Sequence, residues 1–247
     1  MPRTDTAILT GGDPHDDPIA PYDWSLILAE MNRTGHAVLP GLLSPQACGA
    51  LAGLYDTDTL FRSHIRMARH GFGSGEYKYF AYPLPDPVAV LRRALYPRLA
   101  PLANDWTERL RGDRRFPADH AEFLAQCRAA GQGRPTPLLL QYQAGDYNCL
   151  HQDLYGDLYF PIQAAILLSE PGRDFTGGEF VLTEQRPRMQ SRPHVATLRQ
   201  GDAILFAVNK RPVRGTRGDY AVTLRHGVSQ VTSGHRHTLG IIFHDAR

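Results

Sequence analysis

The stretch that decides the fold is TPLLLQYQAGDYNCLHQD, residues 136–153. It begins with an apolar run typical of a strand, turns at Gly145, and then places His151 and Asp153 two residues apart. Residues i and i+2 of an extended segment point to the same side, so these two side chains can reach one metal ion. A solvated loop without a function is the alternative interpretation of this stretch taken alone.

The rest of the C-terminal half continues in the same pattern. Short apolar or alternating runs are separated by clusters of Gly, Pro, Asp and Arg. Seven or eight strands at this spacing favour a double-sheet jelly roll, a double-stranded β-helix, over a parallel sheet. The runs are TPLLLQYQ, IQAAILLS, GEFVLTE, HVATL, AILFAV, YAVTLRHGVSQV and HTLGIIF.

The N-terminal half carries helix signals instead. Residues 1–20 are polar and rich in Gly, Asp and Pro, which predicts a flexible arm. We expect an α+β protein with one domain at 21–247, in which a mainly helical support (21–135) packs on a jelly-roll core (136–247). Helices are predicted at 22–33, from Ser44-Pro45, from Asp86-Pro87 to about Arg111 with a kink or division at Pro97 and Pro101, and at 117–130.

The bulk composition is that of a soluble globular protein, with 42% hydrophobic and 21% charged residues. The net charge of +2 demands neither a nucleic-acid nor a membrane partner. Three widely spaced cysteines without a CxxC pair argue for a reducing compartment and against a disulfide framework or a zinc site. Without a long apolar run or a signal-like N-terminus, a cytoplasmic location and no membrane partner are expected.

A third ligand candidate, His226, follows Asp153 by 73 residues and lies in the apolar run YAVTLRHGVSQV. A hydrogen-bonded core histidine is the plainer interpretation there, but the position ten residues before Arg236 favours a ligand. Two imidazoles and one carboxylate hold Fe(II) while leaving three coordination positions open, as a chelating cosubstrate and O₂ require. We therefore expect His151, Asp153 and His226 to bind Fe(II).

Arg236 supplies a fixed cation close to this set. It lies between Gly234 and the apolar run LGIIF, on the strand expected to run back beside that of His226. A dicarboxylate that chelates iron through its 2-oxo acid end would meet Arg236 with its far carboxylate, through two parallel hydrogen bonds. A surface ion pair is the alternative.

Residues 137–247 resemble the 2-oxoglutarate- and Fe(II)-dependent dioxygenase superfamily. Besides the ligand candidates, FTGGEF and GDAILF give two turn-to-strand entries in the order found in its sandwich. The resemblance implies His151, Asp153 and His226 as the iron ligands and Arg236 as the cosubstrate clamp, all four with catalytic roles. It also implies Fe(II), 2-oxoglutarate and O₂ as cofactors, with ascorbate as an optional supporting reductant.

Two branches of the superfamily share parts of the pattern. The ten-residue spacing from His226 to Arg236 is similar to the prolyl-hydroxylase-type branch. The stretch YxxGxxxxxHQD is similar to alkylated-DNA repair dioxygenases, in which the tyrosine at the position of Tyr142 contacts 2-oxoglutarate, and Thr238 is expected to contact it too. Their R-x-N-x-T-x-R signature is incomplete here, because the Asn and the second Arg are missing.

The C-terminal blocks NKRPVRGTRGDY and RHGVSQVTSGHRHTLGIIFHDA also resemble a bacterial oxygenase family described for oxidative demethylation of damaged DNA. The first block places four cations in eight residues, which are suited to phosphates or to an acidic small molecule. A solvated hairpin loop is the alternative. These cations, expected beside the mouth of the site, are Lys210, Arg211, Arg214 and Arg217.

Further substrate candidates are aromatic or adjoin the ligands. Gln152 and Tyr155 flank Asp153. The Gly-rich segment 71–75 and the run EYKYF that follows predict either a lid with Tyr77 and Tyr79 as stacking residues, or an edge strand with a mobile entry.

These residues predict a dioxygenase that hydroxylates a substrate C–H bond. If the carbon is an N-methyl group, the hydroxymethyl product collapses to formaldehyde and the bare nitrogen, so demethylation of alkylated nucleobases in DNA is the leading hypothesis. The alternative is a prolyl-hydroxylase-like hydroxylase of a peptide, amino acid or small metabolite. A non-catalytic cupin-like metal-binding sandwich is the second alternative.

Overall fold

The computed structural model describes residues 17–247. Most of the predicted arm therefore lies outside the described residues. The last residues of the predicted arm are packed against the rest of the protein. The Ile19 side chain is fully buried, and the Trp24 indole Nε1 donates a hydrogen bond to the Ile19 carbonyl at 3.0 Å. The packed part of the chain thus begins before residue 21.

Capping residues set the helix boundaries near the predicted places. Asp23 accepts hydrogen bonds from the first-turn amides of the helix that follows it, and Ser44 accepts one from the Ala47 amide of the next helix. Pro97 and Pro101 do not divide the third helix, since it is continuous and buries eleven of its residues. Of the described residues, no helix is long and apolar enough to cross a membrane. The helices are α1 Trp24–Thr34, α2 Pro45–Gly53, α3 Asp86–Arg109 and α4 His120–Ala129.

Two antiparallel sheets form the body of this mixed α and β structure. The strands are β1 His36–Leu39, β2 Phe61–Arg66, β3 Gly73–Ser74, β4 Glu76–Phe80, β5 Leu138–Gln143, β6 Tyr147–His151, β7 Ile162–Leu167, β8 Phe175–Gly177, β9 Phe180–Gln185, β10 Arg192–Ala196, β11 Ala203–Ala207, β12 Lys210–Gly215, β13 Gly218–Val228 and β14 Val231–Ile241. The major sheet has the strand order β1-β11-β7-β14-β5-β4-β2, with β8 paired to β14; the minor sheet has the order β10-β9-β13-β6-β3, with β12 paired to β13.

The major sheet is covered on both faces, which explains why its central strands read as continuous apolar runs. Ile166, Leu205 and Leu239 pack with the helices on the outer face. Ala165 and Phe206 pack on the inner face against Phe180 and Leu182 of the minor sheet. The space between the two sheets is therefore the second core, and the functional candidates border it.

The division into a helical half and a β half was too simple. β1 and β11 pair at the edge of the major sheet, and β4 lies between β2 and β5. The run EYKYF is consequently an interior strand, so the edge-strand expectation was wrong. Strands from both halves build the walls of the same sandwich.

Candidate metal centre

The two histidines meet across the paired strands β6 and β13. His151 and His226 are register partners, and their ring centroids lie 4.2 Å apart. A bulge between His226 and Val228 locally shifts the pairing. Asp153, two residues beyond β6, brings its carboxylate oxygens to 3.4 Å from the Nε2 atoms of both rings. One ligand atom from each residue lies within 4.8 Å of the others.

Hydrogen bonds orient this group. The Nδ1 atom of His151 donates to the Cys149 carbonyl at 2.8 Å, which leaves its Nε2 free as a ligand. The Tyr155 hydroxyl donates to the Asp153 carboxylate at 2.7 Å. The buried Nδ1 atom of His226 has no hydrogen-bond partner among the described residues. The imidazole nitrogens that face Asp153 are thus held in place by both strands and by the Tyr155 side chain.

The electrostatics suit a cation. Burial would raise the pKa of Asp153, but the His151 and His226 rings beside its carboxylate outweigh burial and hold that pKa well below its usual range. Burial, followed by the nearby His151, lowers the pKa of His226 and keeps this imidazole neutral. A carboxylate with two imidazoles fits a divalent transition metal, and the facial arrangement is typical of Fe(II) sites. The donor set therefore fits the predicted iron.

Arg236 is buried in the same cavity. Its side chain is 2% exposed, its Nη1 donates to the Thr238 hydroxyl at 2.6 Å, and its Nε has no partner among the described residues. The guanidinium carbon lies 5.5 Å from the Tyr142 ring, and β14 and β5 pair these two residues in register. Gly178 leaves the space that Arg236 occupies, because a Cβ there would come within 3.0 Å of the arginine Cδ. A buried cation with free donors is suited to an anionic ligand.

A cavity of about 200 Å³ joins the three ligand candidates to Arg236, and Tyr142 and Thr238 also line it. The sequence did not single out Gln163, which lines this cavity, is 3% exposed and has an Nε2 without a partner. A polar residue inside the apolar run IQAAILLS was the available signal. An unpaired buried amide at this position favours a contact with a bound molecule.

The other substrate candidates near the ligands differ in position. Tyr77, Gln152 and Tyr155 line the cavity. The amide Nε2 of Gln152, however, donates to the Asn209 side chain and to a backbone carbonyl, so it also ties strands together. Tyr79 does not line the cavity; it is buried behind it, with its ring 5.3 Å from that of Tyr77. The expectation of Tyr79 as a stacking residue for substrate was wrong.

The basic segment does not lie beside the cavity, which corrects the sequence prediction. Arg211 is 2% exposed and donates to the Glu184 carboxylate and the Asn32 carbonyl, so it is not available to a substrate. Lys210 and Arg214 pair with Thr223 and Asp219, whose side chains point to the face opposite His226. Arg217 is exposed in the hairpin between β12 and β13. The stretch of β13 from Gly218 to His226, at the usual rise per residue of a strand, puts this hairpin about 27 Å from His226.

His235 and His237 are no alternative ligands. They alternate with Arg236 along β14 and therefore point away from the cavity, where both line a separate outer depression. Among the described residues, only His151, Asp153 and His226 place three possible ligand atoms together.

Several solved structures are similar to this chain in fold. A prolyl-4-hydroxylase of Pseudomonas putida superposes with a TM-score of 0.53 at 15% identity, covering 91% of this chain and 99% of that one. A 2OG-Fe(II) oxygenase family oxidoreductase of Burkholderia pseudomallei gives 0.50 at 16% identity, covering 91% and 93%. The alpha-ketoglutarate-dependent epimerase SnoN of nogalamycin biosynthesis gives 0.53 at 17% identity, covering 90% and 82%. At these identities the likeness shows the fold.

The chain has the fold of a 2OG-Fe(II) oxygenase, and its donor set fits Fe(II). Residues 75–246 match the model of the Oxygenase-NA family, described as an oxygenase catalysing oxidative methylation of damaged DNA, and the chain belongs to this family. An uncharacterized protein of Mycobacterium tuberculosis, present in two strains, is 49% identical over 167 residues, 68% of this chain and 72% of that protein. Membership contradicts the non-catalytic cupin-like alternative.

Proposed function

We propose that His151, Asp153 and His226 bind the catalytic Fe(II) and that Arg236 binds the far carboxylate of 2-oxoglutarate. The observation that carries the proposal is the single cavity that all four side chains share. The two antiparallel sheets that hold them, one bearing the ligands and the other bearing Arg236, are consistent with a double-stranded β-helix. The cavity lies between these sheets, as expected for a jelly-roll oxygenase.

Bound Fe(II) supplies O₂ activation, in which 2-oxoglutarate loses CO₂ to give succinate and one oxygen atom enters a substrate C–H bond. The protein supplies orientation. Tyr155 fixes the Asp153 carboxylate by its hydrogen bond, and Arg236 is preset by Thr238 to meet a carboxylate. Tyr142 is fully buried beside the Arg236 guanidinium. It excludes water from the contact between Arg236 and a bound carboxylate and thereby strengthens that contact.

The substrate class proposed is an alkylated nucleobase in DNA. The family description supports it, and so does the entrance of the cavity, where Phe72 is 47% exposed and stacks on His70 with ring centroids 5.3 Å apart. Nucleobases bind single-strand-specific proteins by stacking on aromatic rings, with cations nearby for the backbone. Exposed Arg69 adjoins His70, and the free amide of Gln163 is placed to meet a polar base edge.

A hydroxylase of a peptide, amino acid or small metabolite remains the second candidate. One observation favours it: the four cations of the 210–217 segment do not reach the cavity. A neutral substrate without phosphates needs no such cations.

One experiment separates the two functions. The iron-loaded protein is supplied with 2-oxoglutarate, O₂ and single-stranded DNA that carries N-methylated bases, with unmethylated DNA, proline-rich peptides and amino acids as parallel substrates. The proposal expects succinate and formaldehyde in equal amounts with methylated DNA alone. Succinate without formaldehyde, stimulated by a peptide or an amino acid, would replace it by the second candidate. The His226→Ala protein is the control for adventitious iron chemistry.

A further inference from the structure

A second polar cavity of about 250 Å³ lies on the flank of the sandwich, away from the oxygenase cavity. Its walls come from the end of α1 and from β1, an edge strand of the major sheet, and from β10, an edge strand of the minor sheet. Arg211 is the one residue of this cavity that stood out in the sequence. The lining consists of four arginines, two glutamates, two histidines and Thr34.

Two imidazoles face each other in this cavity without hydrogen-bond partners. The rings of His36 and His194 have their centroids 5.4 Å apart, and the buried atoms His36 Nδ1 and His194 Nε2 are both unpaired among the described residues. Burial is the largest cause that lowers the pKa of each ring, so both are neutral near pH 7, and each has one N–H donor that either ring nitrogen can carry. An unpaired buried donor costs free energy that a bound acceptor would recover.

The charge balance of the cavity is positive. Glu30 pairs with Arg33, and Glu184 pairs with both Arg186 and Arg211. Arg192 has no ion-pair partner among the described residues. Four guanidinium groups and two carboxylates leave a net charge of +2, as counted from the lining residues. This excess disfavours a metal ion and favours an anion.

Part of the cavity wall is held in place before any ligand arrives. Arg211 is 2% exposed and is fixed by the Asn32 carbonyl and by Glu184, which is itself 3% exposed. Arg192 and His194 are two residues apart on β10 and pair with Glu184 and Leu182, so they project to the same inner face. Among the arginines proposed as donors, Arg186 is held by Glu184, whereas the exposed Arg192 side chain is ordered only when an anion binds.

We propose that this cavity binds a phosphate group, with Arg192, Arg186, His36 and His194 as its donors. A tetrahedral dianion matches the excess charge and offers several acceptor oxygens to donors that converge from two sheet edges. The site is separate from the oxygenase cavity, because β10 lies at the opposite edge of the minor sheet from β6 and β3. The proposal therefore stands independently of the iron chemistry.

The test is a calorimetric titration of the full chain with inorganic phosphate at low ionic strength, without iron or 2-oxoglutarate. We expect saturable binding that Arg192→Gln weakens about tenfold, since the variant removes one charge-assisted contact. Arg188→Gln is the matched control, because Arg188 is an exposed arginine of the same hairpin that does not line the cavity. Its affinity should stay within about twofold of the wild type, as expected for a screened distant charge.

A second variant tests the imidazoles. His194→Phe keeps an aromatic ring but removes the ring nitrogens. The affinity for phosphate should therefore fall severalfold, while the thermal unfolding midpoint measured without phosphate should stay unchanged. No saturable binding by the wild-type protein, or an equal loss in Arg188→Gln and Arg192→Gln, would overturn the proposal. A competing titration with short single-stranded DNA identifies the source of the phosphate: displacement sensitive to Arg192→Gln assigns it to a nucleic-acid backbone, and no displacement assigns it to a free phosphate.

Discussion

Replacing Arg236 by methionine separates the function of this residue from its structural role. Arg236 is a buried cation whose Nε has no partner among the described residues, and the Glu179 carboxylate acts on it only electrostatically. Such a charge does not stabilise the fold, because desolvation outweighs what one hydrogen bond to Thr238 returns. Arg236→Met fills a similar volume without the charge, so we expect the stability of the free protein to stay equal or rise.

The affinity of the Arg236→Met variant for 2-oxoglutarate, by contrast, should fall. A buried charge-assisted carboxylate contact contributes about 1.5–3 kcal/mol, so the variant should bind 2-oxoglutarate roughly 10- to 150-fold more weakly. At a concentration of 100 times the wild-type dissociation constant, the ligand stabilises the wild-type fold by about 2.7 kcal/mol. A variant with 100-fold weaker binding would retain about 0.4 kcal/mol at the same concentration.

The assay is anaerobic calorimetry of the iron-loaded protein, together with thermal unfolding at fixed 2-oxoglutarate. Arg225→Met is the matched control, because Arg225 is exposed on the outer face of β13, next to His226. The reasoning is refuted if Arg236→Met binds 2-oxoglutarate as tightly as the wild type, or if Arg225→Met loses as much affinity. A fall in the stability of the free variant would refute the argument about the buried charge.

Three further changes probe other parts of the molecule. His226→Ala should reduce Fe(II) affinity by orders of magnitude, measured by anaerobic dialysis, because His151 is the only other histidine among the described residues that lines the cavity; near-normal affinity would contradict the ligand assignment. Gln163→Leu should raise KM for the DNA substrate several-fold and leave the 2-oxoglutarate affinity unchanged, and an unaltered KM would exclude a substrate contact. Burial lowers the pKa of His120 to about 4 in the folded protein, so the unfolded state binds more protons between pH 6.5 and 4 and stability falls as the pH drops through this window. His120→Gln should reduce the pH dependence of the unfolding free energy across that window by up to about 1.4 kcal/mol per pH unit, measured by denaturation at several pH values. An unchanged pH dependence would show that other groups cause the loss of stability in acid.

The sequence was sufficient where neighbours along the chain decide the outcome. Ser44 caps α2 because the donors it satisfies lie in the next turn, and no distant contact is needed. His151 and Asp153 reach one point because alternation along an extended segment places positions i and i+2 on one side. His226 and Arg236 were also found, since a polar residue in an apolar strand and a fixed spacing are visible in the letters alone.

Only the tertiary structure decided which face of a paired strand each side chain occupies. The basic run around Arg211 looked uniform in sequence, but its pairing with β13 buries Arg211 against Glu184 and turns Lys210 to the outside. Register is set by partners distant in the chain, and a shift of one residue would exchange the two faces. For the same reason the sequence could not show that Gln163 faces the cavity, or that His36 and His194, 158 positions apart, meet at two sheet edges.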